Sequence, residues 1–290
     1  MTSHSADSEA RLPRRQILTR LLRRDSIGEA YHVLTFDVPE GLAAGAGHFV
    51  MVRGAEWGEA PLLPRPMSLL TAGATPSILI KVIGEGTRRM ARAEPGEPFS
   101  LLAPLGNTWR PVTPGRRPLL VAGGVGIAPL LFLAREFAAQ NLKPLAIYGG
   151  RTERDLPLYD ELAQVAELRL VTENGGLGTR GRVTDLMPDL LDRDVEVYTC
   201  GPDRMMAKVA EIAASRNVRC QVSLETPMAC GYGVCLGCPV PKPGGEYLYA
   251  CTHGPCVDAT EIDWSRSAHA PRKSADSGTQ AAHAHGGKSS

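Results

Sequence analysis

The chain has 290 residues, 43% of them apolar, and 32 Lys plus Arg against 31 Asp plus Glu. That length accommodates two or three domains, and the apolar fraction is enough to bury their cores. The near-neutral charge and an aromatic content of 5% argue against a nucleic-acid partner or an anionic membrane surface.

Residues 1–13 are polar with no apolar stretch, so a disordered arm is expected rather than a secretory signal. No apolar run reaches membrane-spanning length. Together these predict a cytoplasmic protein with reduced cysteines. From residue 14 to about 112 short strands follow one another: "YHVLTFDV" with Leu34, Phe36 and Val38 on one face, then "HFVMVRG", "PMSLLTA", "SILIKVIG" and "EPFSLLAPLG". Gly and Pro punctuate them, which predicts a small antiparallel β-barrel. One short helix, "TRRMARAE", interrupts the strands, with Thr87 as its expected N-cap.

At Pro118 the rhythm becomes strand–helix–strand over residues 113–222. The strands are "PLLVA", "PLAIYGG", "LRLVTENG", "VEVYTCGP" and "VRCQVSL". The helices include one with Ile127, Leu130, Leu131, Ala134, Phe137 and Ala138 on a single stripe, and "VTDLMPDLL". This alternation predicts an α/β domain with a parallel sheet. Residues 223–264 hold a cysteine-rich segment. Residues 265–290 read as a solvated tail, whose His269, His283 and His285 are spaced as in ordinary polar tails. The expected fold class is thus α+β multidomain: antiparallel barrel, α/β parallel-sheet nucleotide domain, and a small C-terminal metal domain.

Five of the seven cysteines lie between Cys230 and Cys256. Cys230, Cys235, Cys238 and Cys251 are spaced C-x4-C-x2-C-x12-C, and the first three match the plant-type [2Fe–2S] pattern. Gly231, Gly233 and Gly237 would let backbone N–H groups turn toward the cluster sulfides through positive φ and close approach. Structural zinc is the alternative, but zinc ribbons pair two C-x2-C knuckles and only one is present. Cys256 could replace Cys251 as fourth ligand. Cys220 reads as a core residue.

Three further motifs suit phosphates and flavins. "RPMS", Arg65–Ser68, offers a guanidinium for a pyrophosphate and a hydroxyl for a ring nitrogen. "GEGT", Gly84–Thr87, opens the short helix, whose amide end suits a phosphate. "GGVGIAP", Gly123–Pro129, and "CGP", Cys200–Pro202, end strands of the expected sheet, where a dinucleotide would sit. Each alone competes with an ordinary glycine turn.

In this order, RPxS, GxGT, GGxGxxP, CGP and the cysteine segment, the motifs resemble the ferredoxin–NADP reductase superfamily. Over residues 14–264 the chain is similar to the electron-transfer subunits of NAD-dependent, two-subunit dihydroorotate dehydrogenases, most specifically in "MACGYGVCLGC". The resemblance implies FAD held by Arg65, Pro66, Met67 and Ser68, by the backbone of Leu79, Ile80 and Lys81, and by Gly86 and Thr87. It implies a nicotinamide nucleotide, NAD rather than NADP, at Gly123, Gly124, Gly126, Cys200 and Gly201. It implies a [2Fe–2S] cluster on Cys230, Cys235, Cys238 and Cys251. Met67 stands where the superfamily often has an aromatic, and Pro227 and Cys256 also depart from its pattern.

A flavin exchanges electrons singly or in pairs, so it belongs between a one-electron cluster and a two-electron nicotinamide. No side chain is assigned as catalytic acid or base. Oxidising dihydroorotate takes a further flavin-bearing barrel of about 250 residues, which is expected on a partner. The resemblance implies an FMN-containing catalytic subunit in a heterotetramer of two plus two chains, serving UMP biosynthesis. The alternatives are a reductase subunit of another NAD(P)H-linked complex, of ferredoxin–NADP oxidoreductase or hydrogenase type, and a non-enzymatic zinc-binding module.

Overall fold

The computed structural model describes residues 12–192 and 194–266. The expectations for residues 1–11 and for the histidines of the tail lie outside them. Strands β1 (Arg15–Ile27), β2 (Tyr31–Phe36), β3 (Phe49–Gly54), β4 (Arg65–Thr71), β5 (Ser77–Lys81) and β6 (Pro98–Leu105) close an antiparallel barrel in the order β1-β2-β5-β4-β3-β6. Helix α1 (Glu85–Arg92) lies between β5 and β6. β1 alternates as a half-buried strand should, with Ile17, Thr19 and Leu21 inside. β2 does not alternate in burial. Leu34 and Phe36 face the barrel core, while Tyr31 and Val33 face a second core outside it. Both faces are apolar because the strand separates two cores.

The second core belongs to a sheet of seven strands: β7 (Arg117–Gly123), β8 (Leu145–Gly150), β9 (Glu167–Thr172), β10 (Thr179–Arg180), β11 (Val195–Cys200), β12 (Cys220–Ser223) and, much later, β15 (Cys256–Asp258). Their order is β10-β9-β8-β7-β11-β12-β15. The first six run parallel, as expected; β15 joins antiparallel through Ser223↔Cys256 and Gln221↔Asp258. Helices α2 (Ile127–Ala139), α3 (Tyr159–Val165), α4 (Val183–Leu186) and α5 (Asp203–Ser215) cover it. The chain runs outward from β7 in one direction and from β11 in the other. The crevice between their carboxyl ends is therefore the topological switch point, where open α/β sheets take ligands.

α2 joins the two modules, packing on β7 and β11 of the sheet and on β4 of the barrel. The expected stripe is buried except for half-exposed Ala138, and Ala128 and Leu133 are buried as well. α4 is shorter than "VTDLMPDLL" predicts. Pro188 has no N–H to donate to the carbonyl of Thr184, so the helix cannot continue.

The cysteine segment adds a small hairpin, β13 (Pro239–Pro241) with β14 (Tyr247–Tyr249), and a turn of helix, α6 (Ala250–His253). Its apolar residues Val240, Leu248, Ala250 and Val257 share one core with Leu119, Val121, Val197 and Val222 of the sheet. Among the described residues no helix is long and apolar enough to cross a membrane.

Candidate functional site

A cleft of about 490 Å³ opens between the barrel, the β7–α2 turn and the start of the cysteine segment. β4 and β5 pair at Leu69↔Ile78 and Thr71↔Ser77. Beyond that register Arg65–Ser68 and Leu79–Lys81 border the cleft. Arg65, Pro66, Met67, Ser68, Leu79 and Lys81 all line it, as do Gly86 and Thr87 of α1. Ile80 does not: it is fully buried in the barrel core.

The start of α1 differs from expectation. The N-cap is Gly84, and Thr87 is the third helical residue. Its hydroxyl accepts from the N–H groups of Ile83 (3.0 Å) and Gly84 (3.1 Å). A glycine cap brings no side chain to the first-turn amides, which keeps that end of the helix open to an anion. Glu85 is the one acid there, and Arg88 (2.9 Å) and Arg89 (3.3 Å) pair with it. Arg65 lies against the same turn: a Cβ on Gly86 would stand 2.2 Å from its Nε. Gly86 is therefore a point of close approach, where any side chain would push the guanidinium away. The guanidinium and the helix amides converge as a pyrophosphate requires.

The five residues expected at the nicotinamide nucleotide come together at the switch point. A Cβ on Gly126 would stand 2.4 Å from the Cys200 carbonyl oxygen, and one on Gly201 would stand 3.1 Å from Gly123. Tyr148 donates to the Gly124 carbonyl at 3.0 Å. None of the five lines the 490 Å³ cleft, but Val125 and Ala128 of the same turn do. The glycine turn thus stands between cleft and crevice.

A polar group at this junction is absent from the motif reading. Lys81 Nζ lies 3.2 Å from Asp155 Oδ1, and the Tyr31 hydroxyl donates to the same oxygen at 3.4 Å. Burial works to raise the Asp155 carboxyl, but Lys81 and Thr152 outweigh it and hold it below its usual range. Burial likewise works to lower Lys81, and Tyr31 and Asp155 raise it instead. The pair ties the barrel to the loop after β8. Its members are 74 residues apart, and no spacing rule connects them.

In the cysteine segment the thiols form two pairs. Cys238 Sγ and Cys251 Sγ are 3.2 Å apart, and the Cys235 thiol donates to Cys230. All are free thiols. Among the described residues no three or more His, Cys, Asp or Glu side chains are gathered round a single ion position. Two thiol pairs are the donor set that a two-iron cluster would take, two sulfurs to each iron. Backbone N–H groups point at the sulfurs: Tyr232 and Cys235 at Cys230 (both 3.5 Å), Gly237 at Cys235 (3.4 Å), and Cys251 at Cys238 (3.5 Å). Burial works to raise the Cys230 thiol, but hydrogen bonds from Cys235, Tyr232 and Val234 pull it down to about 6. A thiol so lowered is readily the thiolate a metal binds. Cys251 is pushed up to about 12, first by burial and then by Cys238 and Cys230. A cation bound by both would hold both as thiolates.

The loop turns on positive φ at Gly231 (79°) and Gly233 (93°), as expected. The third such residue is Leu236 (55°), not Gly237. Gly231 also meets the barrel closely, since a Cβ there would stand 2.5 Å from Met51 Cγ. Met51 belongs to β3 and pairs with Pro66 of β4, so the thiol loop packs on the strand next to RPMS. Cys256 is elsewhere. It is buried in β15, with its backbone bonded on both sides to the Asn107 amide (2.8 and 2.9 Å).

Residues 225–263 match the family described as the iron–sulfur cluster binding domain of dihydroorotate dehydrogenase B, and residues 120–211 match the oxidoreductase NAD-binding domain. The chain is 32% identical over 243 residues to the dihydroorotate dehydrogenase B (NAD(+)) electron transfer subunit of Desulforamulus reducens, covering 80% of this chain and 92% of that one. It is 34% identical over 247 residues to the subunit of the same name from Caldanaerobacter subterraneus subsp. tengcongensis, covering 84% and 96%. Among solved structures it is similar to an NADH-dependent reduced ferredoxin–NADP oxidoreductase involved in flavin-based electron bifurcation. The TM-score is 0.76 at 27% identity, over 86% of this chain and 91% of that one.

Proposed function

The chain belongs to the family of dihydroorotate dehydrogenase B (NAD(+)) electron transfer subunits, and we propose that it carries electrons from the FMN of a catalytic subunit through a [2Fe–2S] cluster and FAD to NAD⁺. The pathway it would serve is de novo UMP synthesis. The observation that carries this reading is that the thiol-bearing segment walls the flavin cleft. Met228 lines the cleft and stands two residues before Cys230; Pro255 lines it four residues after Cys251. Two residues of extended chain span at most about 7 Å, so the first thiol pair cannot be far from the cleft wall.

Arg65 and the first-turn amides of α1 would take the FAD pyrophosphate. Pro66, Met67 and Ser68, with the backbone of Leu79, Ile80 and Lys81, would hold its ring system. Gly123, Gly124, Gly126, Cys200 and Gly201 would form the crevice for NAD. Cys230 with Cys235, and Cys238 with Cys251, would ligate the cluster. When bound, the flavin supplies the exchange between single electrons and a hydride. The chain's part is to position these groups and to exclude water from the cleft.

Tyr232, Val234 and Leu236 on the thiol loop are 41%, 72% and 55% exposed. Apolar side chains left in water around a redox loop suit a protein partner. The proposed partner is the FMN-bearing catalytic subunit, in an assembly of two plus two chains.

Anaerobic purification followed by iron, sulfide and FAD analysis tests the reading. About two irons, two sulfides and one FAD per chain are expected, with NADH-to-dye activity. Dihydroorotate should be oxidised only after the catalytic chain is added. A colourless, zinc-bearing chain, or one that oxidises dihydroorotate alone, would defeat it. The likeness to the ferredoxin–NADP oxidoreductase favours a second reading, a reductase subunit of another NAD(P)H-linked complex. Co-purification of a ferredoxin-linked chain instead of a dihydroorotate-oxidising one would select it.

A further inference from the structure

The flavin reading of the cleft gives no role to Thr226. Thr226 lines the cleft. Its hydroxyl oxygen is closed off from solvent and, among the described residues, has no hydrogen-bond partner. A buried hydroxyl left unpaired costs about 1–3 kcal/mol, and native structures seldom leave one so without a reason.

The backbone around Thr226 is held firmly. Leu224 donates to the Pro255 carbonyl at 2.9 Å, and Pro227 restricts the residue before it to extended conformations. What remains is a change between threonine's few allowed χ1 rotamers, which exchanges the positions of hydroxyl and methyl. Thr226 can thus present its hydroxyl to whatever fills the cleft without moving the wall.

We propose that the Thr226 hydroxyl is a hydrogen-bonding contact of the bound flavin, delivered by the same stretch of chain that carries Cys230. A flavin ring edge alternates carbonyl oxygens with ring nitrogens, and a hydroxyl can donate or accept along it. The flavin is a better occupant than the nicotinamide. Arg65, Ser68 and the α1 turn share the cleft with Thr226, whereas Gly123, Gly124, Gly126, Cys200 and Gly201 lie outside its lining. The proposal rests on the flavin reading above. It adds that ring binding and cluster loop are coupled through one side chain.

The test uses the full chain with Thr226→Val, which keeps the shape and removes the hydroxyl, and with Thr226→Ser, which keeps the hydroxyl. Iron and sulfide content is the folding control. FAD binding to the flavin-stripped protein is read by fluorescence, the flavin midpoint potential by dye equilibration, and the melting temperature with and without FAD. Thr226→Val should weaken FAD binding about three- to tenfold and shift the flavin potential. Its flavin-free form should melt at or above the wild-type temperature, because an unpaired buried hydroxyl is gone. Thr226→Ser should stay within about twofold of wild type, on the same hydrogen-bond scale. Wild-type FAD affinity and potential in Thr226→Val, with iron and sulfide intact, would overturn the proposal. So would a loss confined to NADH affinity, which would assign the hydroxyl to the nucleotide. A wild-type chain that binds no FAD at all would remove the flavin reading together with it.

Discussion

Cys251 and Cys256 are five residues apart and lie in opposite surroundings. Cys251 faces the Cys238 sulfur at 3.2 Å. Cys256 packs its sulfur where a Cβ on Gly47 would stand 2.7 Å away, and burial pushes its thiol far above the ordinary range. A fourth ligand must lie within reach of the other sulfurs, and of the two only Cys251 does. Cys256→Ser should therefore keep about two irons per chain and the visible spectrum of the cluster, while Cys251→Ser should lose both. Iron and sulfide analysis with absorption spectroscopy reads the difference. The reverse result would make Cys256 the fourth ligand.

At the scale of elements, α2 carries the contact between barrel and sheet. Arg135 donates to the Leu70 carbonyl at 3.3 Å, and the Glu136 carboxylate accepts from the Ala46 N–H at 2.9 Å. Burial raises the Glu136 carboxyl above its ordinary 4.5, against the lowering effect of the Ala46 N–H. A carboxyl raised on folding contributes stability that is full below the ordinary value and is lost as pH rises through the raised one. At neutral pH, then, the charge is a burden and the hydrogen bond is the asset. Glu136→Gln keeps an acceptor for Ala46 without the charge. It should melt at or above wild type at pH 7, and that advantage should shrink toward pH 4, as the wild-type carboxyl also loses its charge. Glu136→Ala leaves the Ala46 N–H unpaired and should lose about 1–3 kcal/mol. Chemical denaturation at the two pH values tests both. A Gln variant clearly less stable than wild type at pH 7 would show that the charge itself holds the modules together.

At the scale of the whole molecule, the cysteine segment is not an appendage. β15 completes the edge of the seven-stranded sheet, and Leu224–Met228 with Pro255 supplies one wall of the cleft. Ending the chain after Ser223 would expose β12, whose residues are all buried, as an unpaired edge. That truncated form should aggregate and bind FAD substoichiometrically by size-exclusion chromatography and flavin analysis. Full-length Cys230→Ser should lose the cluster yet keep near-stoichiometric FAD, because the wall remains. If the truncated form were monomeric and fully loaded with FAD, barrel and sheet would suffice for the cleft.

Much of this was legible from residue order. Periodicity distinguishes the strand-rich barrel from the alternating sheet, because burial of one face imposes a period on the chain. Cysteine spacing selects the thiol set because a short loop must return its ligands to one place, and glycines mark the points where backbone approaches backbone or a guanidinium. What local spacing does not encode was decided by tertiary structure. β2 is apolar on both faces because a second module covers its outside. Lys81 meets Asp155, and Met228 reaches the cleft, because the sheet docks on the barrel through α2. β15 returns across the sheet to exclude Cys256 from the thiol pairs. Each of these depends on which surfaces bury together, a property of the packed chain that no short window of sequence contains.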